Sequence, residues 1–182
     1  MFETAATVAF VDDDEALRAA NVQSLELAGW TVLPFASATE ALEAVDAGFP
    51  GVVVTDIRMP QMDGRQLFRR LREVDADLPV ILITGHADVA EAVEAMHEGA
   101  YDFVAKPYPA ERLVSSVRRA LEMRRLVLDN RRLAEAAERA GAAGPLIGET
   151  PAMERLRASI RHVAEADVDV LIEGETGVGK GL

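Results

Sequence analysis

Residues 51–60 read G-V-V-V-T-D-I-R-M-P, and they give the clearest indication of the fold class. Its run of valines suits a strand that is buried on both faces of a parallel sheet. Asp56 follows that run closely, and Pro60 stops any continuation. In an open parallel sheet, ligands bind just beyond the carboxyl ends of the strands. Asp56 is therefore a candidate site residue, although a lone aspartate after a strand is more often a turn or a helix N-cap.

Three further stretches repeat this pattern of an apolar strand that ends in a polar residue. They are residues 8–11 before Asp12, Asp13 and Asp14, residues 80–83 before Thr84, and residues 101–105 before Lys106. Taken singly, each has an ordinary structural explanation, such as a helix N-terminus, a cap or a surface charge. Taken together, each at the end of a strand and in the right order, they indicate one shared site.

The spacing of apolar residues predicts five strands that alternate with five helices. The strands are expected at 7–11, 31–33, 51–55, 80–83 and 101–105, and the helices at 15–27, 39–47, 65–74 and 88–97 and from Pro109 onward. Such alternation is typical of right-handed βαβ units. The predicted fold class is therefore α/β, a doubly wound five-stranded parallel sheet of order 2-1-3-4-5, as in flavodoxin.

In that strand order the switch point lies between the first and third strands, where Asp12, Asp13 and Asp56 would converge. Carboxylates that lie close together are costly without a cation. Oxygen ligands without cysteine favour a hard ion, Mg²⁺ before Ca²⁺. This chemistry suits phosphoryl transfer to Asp56 as the nucleophile, with Lys106 and the Thr84 hydroxyl neutralising the other phosphoryl oxygens.

Composition narrows the function classes. The chain has no cysteine, which excludes disulfides and thiol chemistry, and no apolar run long enough for a transmembrane helix. Its N-terminus lacks the pattern of a signal peptide, so we expect a cytoplasmic protein. Residues 1–105 hold 19 acidic and 6 basic residues, which argues against nucleic-acid binding there.

The last predicted helix continues past the first domain, to about Ala140. A heptad seam of alternating three- and four-residue spacing predicts a dimeric coiled coil in which Asn130 fixes the register. A solvated single helix remains the alternative, because the seam contains small and polar residues. The seam consists of Leu113, Ser116, Ala120, Met123, Val127, Asn130, Ala134 and Ala137, with Leu126 and Leu133 beside it.

After the G-A-A-G-P break, the pattern predicts a short amphipathic helix over residues 151–166 and a strand over 168–172. The stretch G-E-T-G-V-G-K follows and fits a phosphate-binding loop through Gly174, Gly179 and Lys180. Gly181 stands where Ser or Thr normally follows the lysine. We expect no ATP hydrolysis from this stretch alone, and we expect residues 145–182 to be too short for a core and disordered.

Four motifs resemble the receiver domains of two-component response regulators over residues 5–122. They are V-D-D-D, T-D-I-R-M-P-Q-M-D-G, I-T-G-H-A-D and F-V-A-K-P-Y. The resemblance implies that Asp56 is the phosphoacceptor and Lys106 the phosphate-binding lysine. It implies Mg²⁺ binding by Asp12, Asp13, Asp56 and the backbone carbonyl of Arg58. Thr84 and Phe103 would be the switch residues, and Asp14 an N-cap.

Residues 146–157 and 169–180 resemble the opening of the AAA+ domain in NtrC-type activators of sigma-54 RNA polymerase, and the receiver motifs look closest to regulators of C4-dicarboxylate transport. The resemblance implies a receiver over 1–122, a coiled-coil linker over 123–144 and the start of an ATPase domain over 145–182. Its partners would be a sensor histidine kinase, and a second copy bound through the linker and the face of helix 4, strand 5 and helix 5. Sigma-54 polymerase and DNA would be contacted by further domains. The alternative is a dimerisation scaffold whose acidic site is unused.

Overall fold

The computed structural model describes residues 6–85, 89–143 and 150–164. Five strands and six helices are found in these ranges. The strands are β1 (Thr7–Val11), β2 (Thr31–Phe35), β3 (Gly51–Asp56), β4 (Val80–Thr84) and β5 (Asp102–Ala105). The helices are α1 (Glu15–Leu27), α2 (Ala38–Ala44), α3 (Gly64–Val74), α4 (Val89–His97), α5 (Ala110–Ala143) and α6 (Pro151–Ala164).

The strands form one parallel sheet of order β2-β1-β3-β4-β5, which confirms the predicted fold class and topology. The register places Val11 of β1 beside Thr55 of β3, and Thr84 of β4 beside Ala105 of β5. The carboxyl ends of these four strands therefore lie along one edge of the sheet. That edge positions the candidate site.

Helices cover both faces of the sheet, as its apolar strands require. On one face, α2, α3 and α4 enclose a core that contains Phe68 and Leu82. On the other face, α1 and α5 enclose a second core that contains Phe10 and Leu113. All six residues of β3 are buried, as the valine run predicts.

Two predicted elements, the edge strand β2 and the helix α2 after it, had boundaries that were wrong by two or three residues. The strand runs on to Phe35 rather than ending at Leu33, because Pro34 sits on an edge strand where its missing N–H is tolerated. Helix α2 is capped by Ser37 rather than Thr39 and stops at Ala44 rather than Ala47. It stops early because Val45 turns into an extended conformation that buries its side chain in the core.

The long helix α5 has 34 residues and runs to Ala143, close to the predicted end. The first three positions of the proposed seam, Leu113, Ser116 and Ala120, are buried in the domain itself. They are therefore unavailable to a partner, and an intermolecular seam could begin only at Met123, which is exposed.

The chain divides into a compact unit that ends at Asp129 and a second unit that begins at Asn130. In the second unit, α6 confirms the predicted amphipathic helix, with Thr150 accepting at its start from the Met153 N–H. The predicted strand over 168–172 and the phosphate-binding loop lie outside the described residues. So does the predicted disorder of 145–182, except at residues 150–164, where the structure has α6 instead. Among the described helices, none is long and apolar enough to cross a membrane.

Candidate functional site

The residues singled out from the sequence lie at the carboxyl edge of the sheet. Asp12 directly follows β1, Asp56 ends β3, Thr84 ends β4 and Lys106 directly follows β5. The parallel register brings these four strand ends side by side. The Lys106–Pro107 peptide bond is cis.

Lys106 and Asp56 form a close ion pair. The Lys106 Nζ lies 2.6 Å from Asp56 Oδ1, and the lysine side chain is 31% exposed while that of the aspartate is 9% exposed. The other carboxylate oxygen, Oδ2, accepts a hydrogen bond of 3.0 Å from the backbone N–H of Arg58. Asp56 is thus held by a charge on one side and the chain turn on the other, which fixes the plane of its carboxylate.

Asp12 is the most deeply buried acid of the site. Its Oδ1 accepts from the Asp14 N–H at 3.0 Å. Its Oδ2 lies 3.8 Å from the Lys106 ammonium and accepts no hydrogen bond from any part of the chain that the structure describes. Burial raises the pKa of Asp12, an effect that the Asp14 hydrogen bond and Lys106 only partly offset.

This buried oxygen is what a hard cation would satisfy. Oxygen donors at the end of a parallel sheet suit Mg²⁺, which takes one or two carboxylates and keeps several waters. Asp12, Asp56 and the Arg58 carbonyl would hold such an ion, so the donor set fits. Within the described residues, however, no group of three or more acidic or histidine side chains converges closely enough to hold a metal by itself.

Asp13 and Arg58 lie on the solvent side of the edge, and both are exposed. They line an open depression of about 500 Å³ that continues along the chain through Met59, Pro60 and Gln61 to the start of α3. The structure therefore places Asp13 at the mouth of the site, outside the buried pair formed by Asp12 and Asp56. Its role in binding a metal stays a prediction.

The two predicted switch residues lie on neighbouring strands. Thr84 is fully buried, and its hydroxyl donates to the Gly85 carbonyl at 3.1 Å. Phe103 of β5 is half-buried and packs against the core beneath α3 and α4. The register pairs Phe103 with Leu82, on the strand that ends in Thr84. Their coupled movement stays a prediction.

A tight turn brings the start of α3 against the phosphoacceptor strand. The Gly64 N–H donates to the Ile57 carbonyl at 3.0 Å, and any Cβ at Gly64 would run into the backbone carbonyl of Asp56. Within the same turn, Gln61 adopts a φ of 67°, in the left-handed region that non-glycine residues seldom occupy. Such backbone strain often accompanies functional loops.

Three side chains that the sequence did not point to lie close to the site residues: Arg18 and Asn21 of α1, and Tyr108 between β5 and α5. Arg18 donates to the Asp12 carbonyl at 2.6 Å, and the Tyr108 hydroxyl donates to Asn21 Oδ1 at 3.2 Å. Burial, followed by the charges of Asp12 and Asp56, raises the pKa of Tyr108 to about 12. Because Arg18 lies one helical turn after the Asp14 cap, the sequence could have indicated that its side chain reaches back toward the end of β1. Tyr108 and Asn21 are too far apart in sequence for any local pattern to pair them.

Two families match the chain. Residues 8–118 match the response regulator receiver domain, and residues 146–182 match the sigma-54 interaction domain. Both resemblances seen in the sequence are confirmed. The first match contains all four residues at the sheet edge, while most of the second lies outside the described residues.

Individual relatives agree with these families. The chain is 59% identical over 176 residues to the C4-dicarboxylate transport transcriptional regulatory protein DctD of Rhizobium meliloti, and 36% identical over 172 residues to the DNA-binding transcriptional regulator NtrC of Escherichia coli K12. These alignments cover 97% and 94% of this chain but 38% and 36% of the relatives, so the chain spans well under half of their length. A response regulator receiver domain protein from Clostridium thermocellum, of known structure, superimposes with a TM-score of 0.62 at 30% identity, covering 67% of this chain and 98% of that one.

Proposed function

We propose that this chain, which belongs to the response regulator receiver domain family, accepts a phosphoryl group on Asp56 and reports its arrival through α5. The observation that carries the proposal is the pairing of Asp56 with Lys106 beside the buried, incompletely bonded carboxylate of Asp12. Family membership supports the reaction class, and this geometry supports the choice of residues.

In the proposed step an oxygen of Asp56 forms a bond to phosphorus as the bond from phosphorus to the donor's leaving atom breaks. The product is an acyl phosphate, and the leaving group departs with the bonding electrons. Lys106 would remain beside the oxygens of the transferred group and offset their charge. The Arg58 N–H holds the Asp56 carboxylate in one orientation throughout.

Asp12, Asp13, Asp56 and the Arg58 carbonyl are the residues proposed to hold Mg²⁺. When bound, the ion would neutralise negative charge on the transferred group and on the clustered carboxylates. Thr84 would release the Gly85 carbonyl and donate its hydroxyl to the phosphoryl group. Phe103 would then fill the space that Thr84 leaves beside β5.

The test is phosphorylation of the 182-residue chain by acetyl phosphate with Mg²⁺, followed by intact mass measurement. We expect one added phosphoryl group in the wild-type chain and none in Asp56→Asn. Asp63→Asn is the matched control, since Asp63 is a half-buried helix cap seven positions along the same segment, and it should be phosphorylated normally. Unchanged labelling of Asp56→Asn would refute the assignment of the phosphoacceptor.

The wider role proposed for the intact protein is control of a sigma-54-dependent activator. The match to the sigma-54 interaction domain and the similarity to a regulator of C4-dicarboxylate transport support this role. We propose a receiver over 1–122, a linker over 123–144 and the beginning of an ATPase domain over 145–182. A sensor histidine kinase would supply the phosphoryl group to this protein in the cytoplasm. The receiver acts here as a phosphoacceptor, and ATP hydrolysis would require more of the ATPase domain than Gly174, Gly179 and Lys180.

We further propose that two copies of the chain pair through the linker and through the face formed by α4, β5 and α5. Support comes from an apolar stripe on α5 that the domain does not cover: Met123 is 46% exposed, Leu126 62% and Leu133 70%. Sedimentation velocity with and without phosphorylation tests this proposal. A chain that stays monomeric in both states, or a Leu126→Asp variant that associates as strongly as the wild type, would refute it.

The same stripe favours the second candidate, a dimerisation scaffold with an unused acidic site. The labelling experiment separates the two functions. A chain that associates but takes no phosphoryl group from acetyl phosphate would be a scaffold, whereas labelling that depends on Asp56 and alters association supports signalling.

A further inference from the structure

One arginine of α5 is buried as deeply as any leucine of the core. The side chain of Arg124 is 1% exposed, although its neighbour Arg125 is 80% exposed. Arg124 Nε and Nη2 donate to the Phe49 carbonyl at 3.0 and 2.9 Å, and Nη2 also lies 2.7 Å from Asp75 Oδ2. The guanidinium therefore joins α5 to two other parts of the chain.

Both partners belong to loops at the amino edge of the sheet, opposite the acidic site. Phe49 precedes β3, and Asp75 is the C-cap of α3 in the loop before β4. Asp75 also organises its own loop, since its Oδ1 accepts from the Asp77 N–H at 3.0 Å. Because β3 has six residues, the arginine lies on the order of 20 Å from Asp56.

The position of Arg124 on the helix is equally informative. It continues the face that buries Leu113, Val117, Ala120 and Leu121, and among the residues of α5 whose burial is described, none after it on that face is buried. The exposed apolar residues Met123 and Leu126 begin on a different face at the same point. Arg124 therefore stands where α5 stops being part of the domain core and starts to show apolar side chains to solvent.

A leucine at this position would bury its side chain without removing a charge from water. Burying an ion pair is often no better for stability than packing apolar residues in its place. A leucine cannot form directional hydrogen bonds, and apolar contacts alone would permit the helix to slide or rotate. A planar guanidinium that is hydrogen-bonded to two fixed acceptors prevents both movements. Since neighbouring residues differ by about 100° around a helix, a small rotation would change which face meets solvent.

We propose that Arg124 is a positioning residue that fixes the rotational setting of α5 where the helix leaves the receiver. By holding α5 to Phe49 and Asp75, it determines that Met123 and Leu126 face outward. The inference rests on the proposed function in one respect: a fixed setting is what would allow a change at β5 and the start of α5 to reach the linker.

The test compares Arg124→Met with Arg125→Met in the 182-residue chain, using amide hydrogen exchange. We expect Arg124→Met to accelerate exchange of residues 120–129 at least about tenfold over the wild type, with a smaller change in β3. Arg125→Met should leave exchange in both segments unchanged. Equal acceleration of both segments in Arg124→Met would indicate general destabilisation and overturn the proposal, and so would no acceleration at all.

A second variant separates positioning from stability. Arg124→Met with Asp75→Asn removes both charges but retains an acceptor for the Asp77 N–H, so no unpaired charge is left buried. We expect Tm to recover most of the loss seen in Arg124→Met, while exchange of residues 120–129 stays fast. Recovery of slow exchange together with Tm would show that the arginine serves only stability.

The last comparison concerns the signal itself. Phosphorylation by acetyl phosphate should change exchange in residues 126–137 of the wild-type chain. In Arg124→Met the response should be lost, although Asp56 is labelled to the same extent. A labelled wild-type chain with no response would refute the proposed relay while leaving the exchange results for Arg124 intact. A response retained in Arg124→Met would refute the part of this inference that concerns the signal.

Discussion

Replacing Asp12 by asparagine should make the chain more stable in the absence of Mg²⁺, although it removes a proposed functional group. The Asp12 side chain is 2% exposed, and its Oδ2 accepts no hydrogen bond from the described residues. Leaving such a group buried costs about 1–3 kcal/mol. The attraction to Lys106 at 3.8 Å is shared, because the same ammonium lies 2.6 Å from Asp56.

The raised pKa of Asp12 shows that its surroundings disfavour the charge overall, with burial as the largest cause. We therefore expect Asp12→Asn to gain about 1–2 kcal/mol at neutral pH, which is a rise in Tm of roughly 4–10 °C. Asparagine keeps the oxygen that accepts from the Asp14 N–H. Asp13→Asn is the control, and because Asp13 is exposed, its Tm should hardly move.

The contribution of Asp12 to the stability of the fold should decrease as pH rises. Because the folded chain binds the Asp12 proton more tightly than the unfolded chain does, Asp12 contributes stability below its ordinary pKa of 3.8. That contribution is lost as pH rises through the higher value in the folded state. The difference in Tm between Asp12→Asn and the wild type should therefore widen as pH rises from about 4 to 7.

Thermal unfolding followed by circular dichroism, with chelator and then with excess Mg²⁺, measures all of these quantities. Mg²⁺ should raise the Tm of the wild type, since an ion at 100 times its Kd adds about 2.7 kcal/mol, and should raise that of Asp12→Asn much less. An Asp12→Asn variant that melts below the wild type in chelator would refute the reasoning, because the buried carboxylate would then be stabilising without a metal.

Two further predictions test the surroundings of the site. Gly64→Ala should cost about 1–3 kcal/mol in urea unfolding, because its Cβ would collide with the Asp56 carbonyl; Gly48→Ala, whose nearest contact would be an ordinary 3.6 Å, should cost less. Tyr108 should ionise near pH 12 in an absorbance titration. Because the folded chain holds the Tyr108 proton more tightly than the unfolded chain, the free energy of unfolding should fall between pH 10 and about 12. Tyr108→Phe should lessen that fall. An equal fall in the wild type and in Tyr108→Phe would contradict this assignment.

Local patterns predicted the strands and helices and their order, because buried apolar runs mark the strands and the 3.6-residue spacing of apolar residues marks the helices. The valine run before Asp56 forms the predicted buried strand, and Asp14 is the predicted N-cap of α1. The errors at β2 and α2 arose where local preference competed with burial. Val45 leaves the helix because its extended conformation buries its side chain in the core. No helix-capping residue in the sequence marks this end of the helix.

The pattern of apolar and polar residues along the chain was enough to predict the strands and the polar residues that end them. Through the parallel topology, it also predicted that Asp12, Asp56, Thr84 and Lys106 share one edge. These conclusions depend on neighbours along the chain and on the handedness of βαβ units. The packing of the folded chain was needed to show that Asp12 is buried, with an oxygen that accepts no hydrogen bond from the described residues, while Asp13 faces solvent. It alone decided that Arg124 is buried and Arg125 is not. The physical reason is that burial and charge pairing depend on residues distant in sequence, such as Phe49 and Asp75, whose approach no local pattern records.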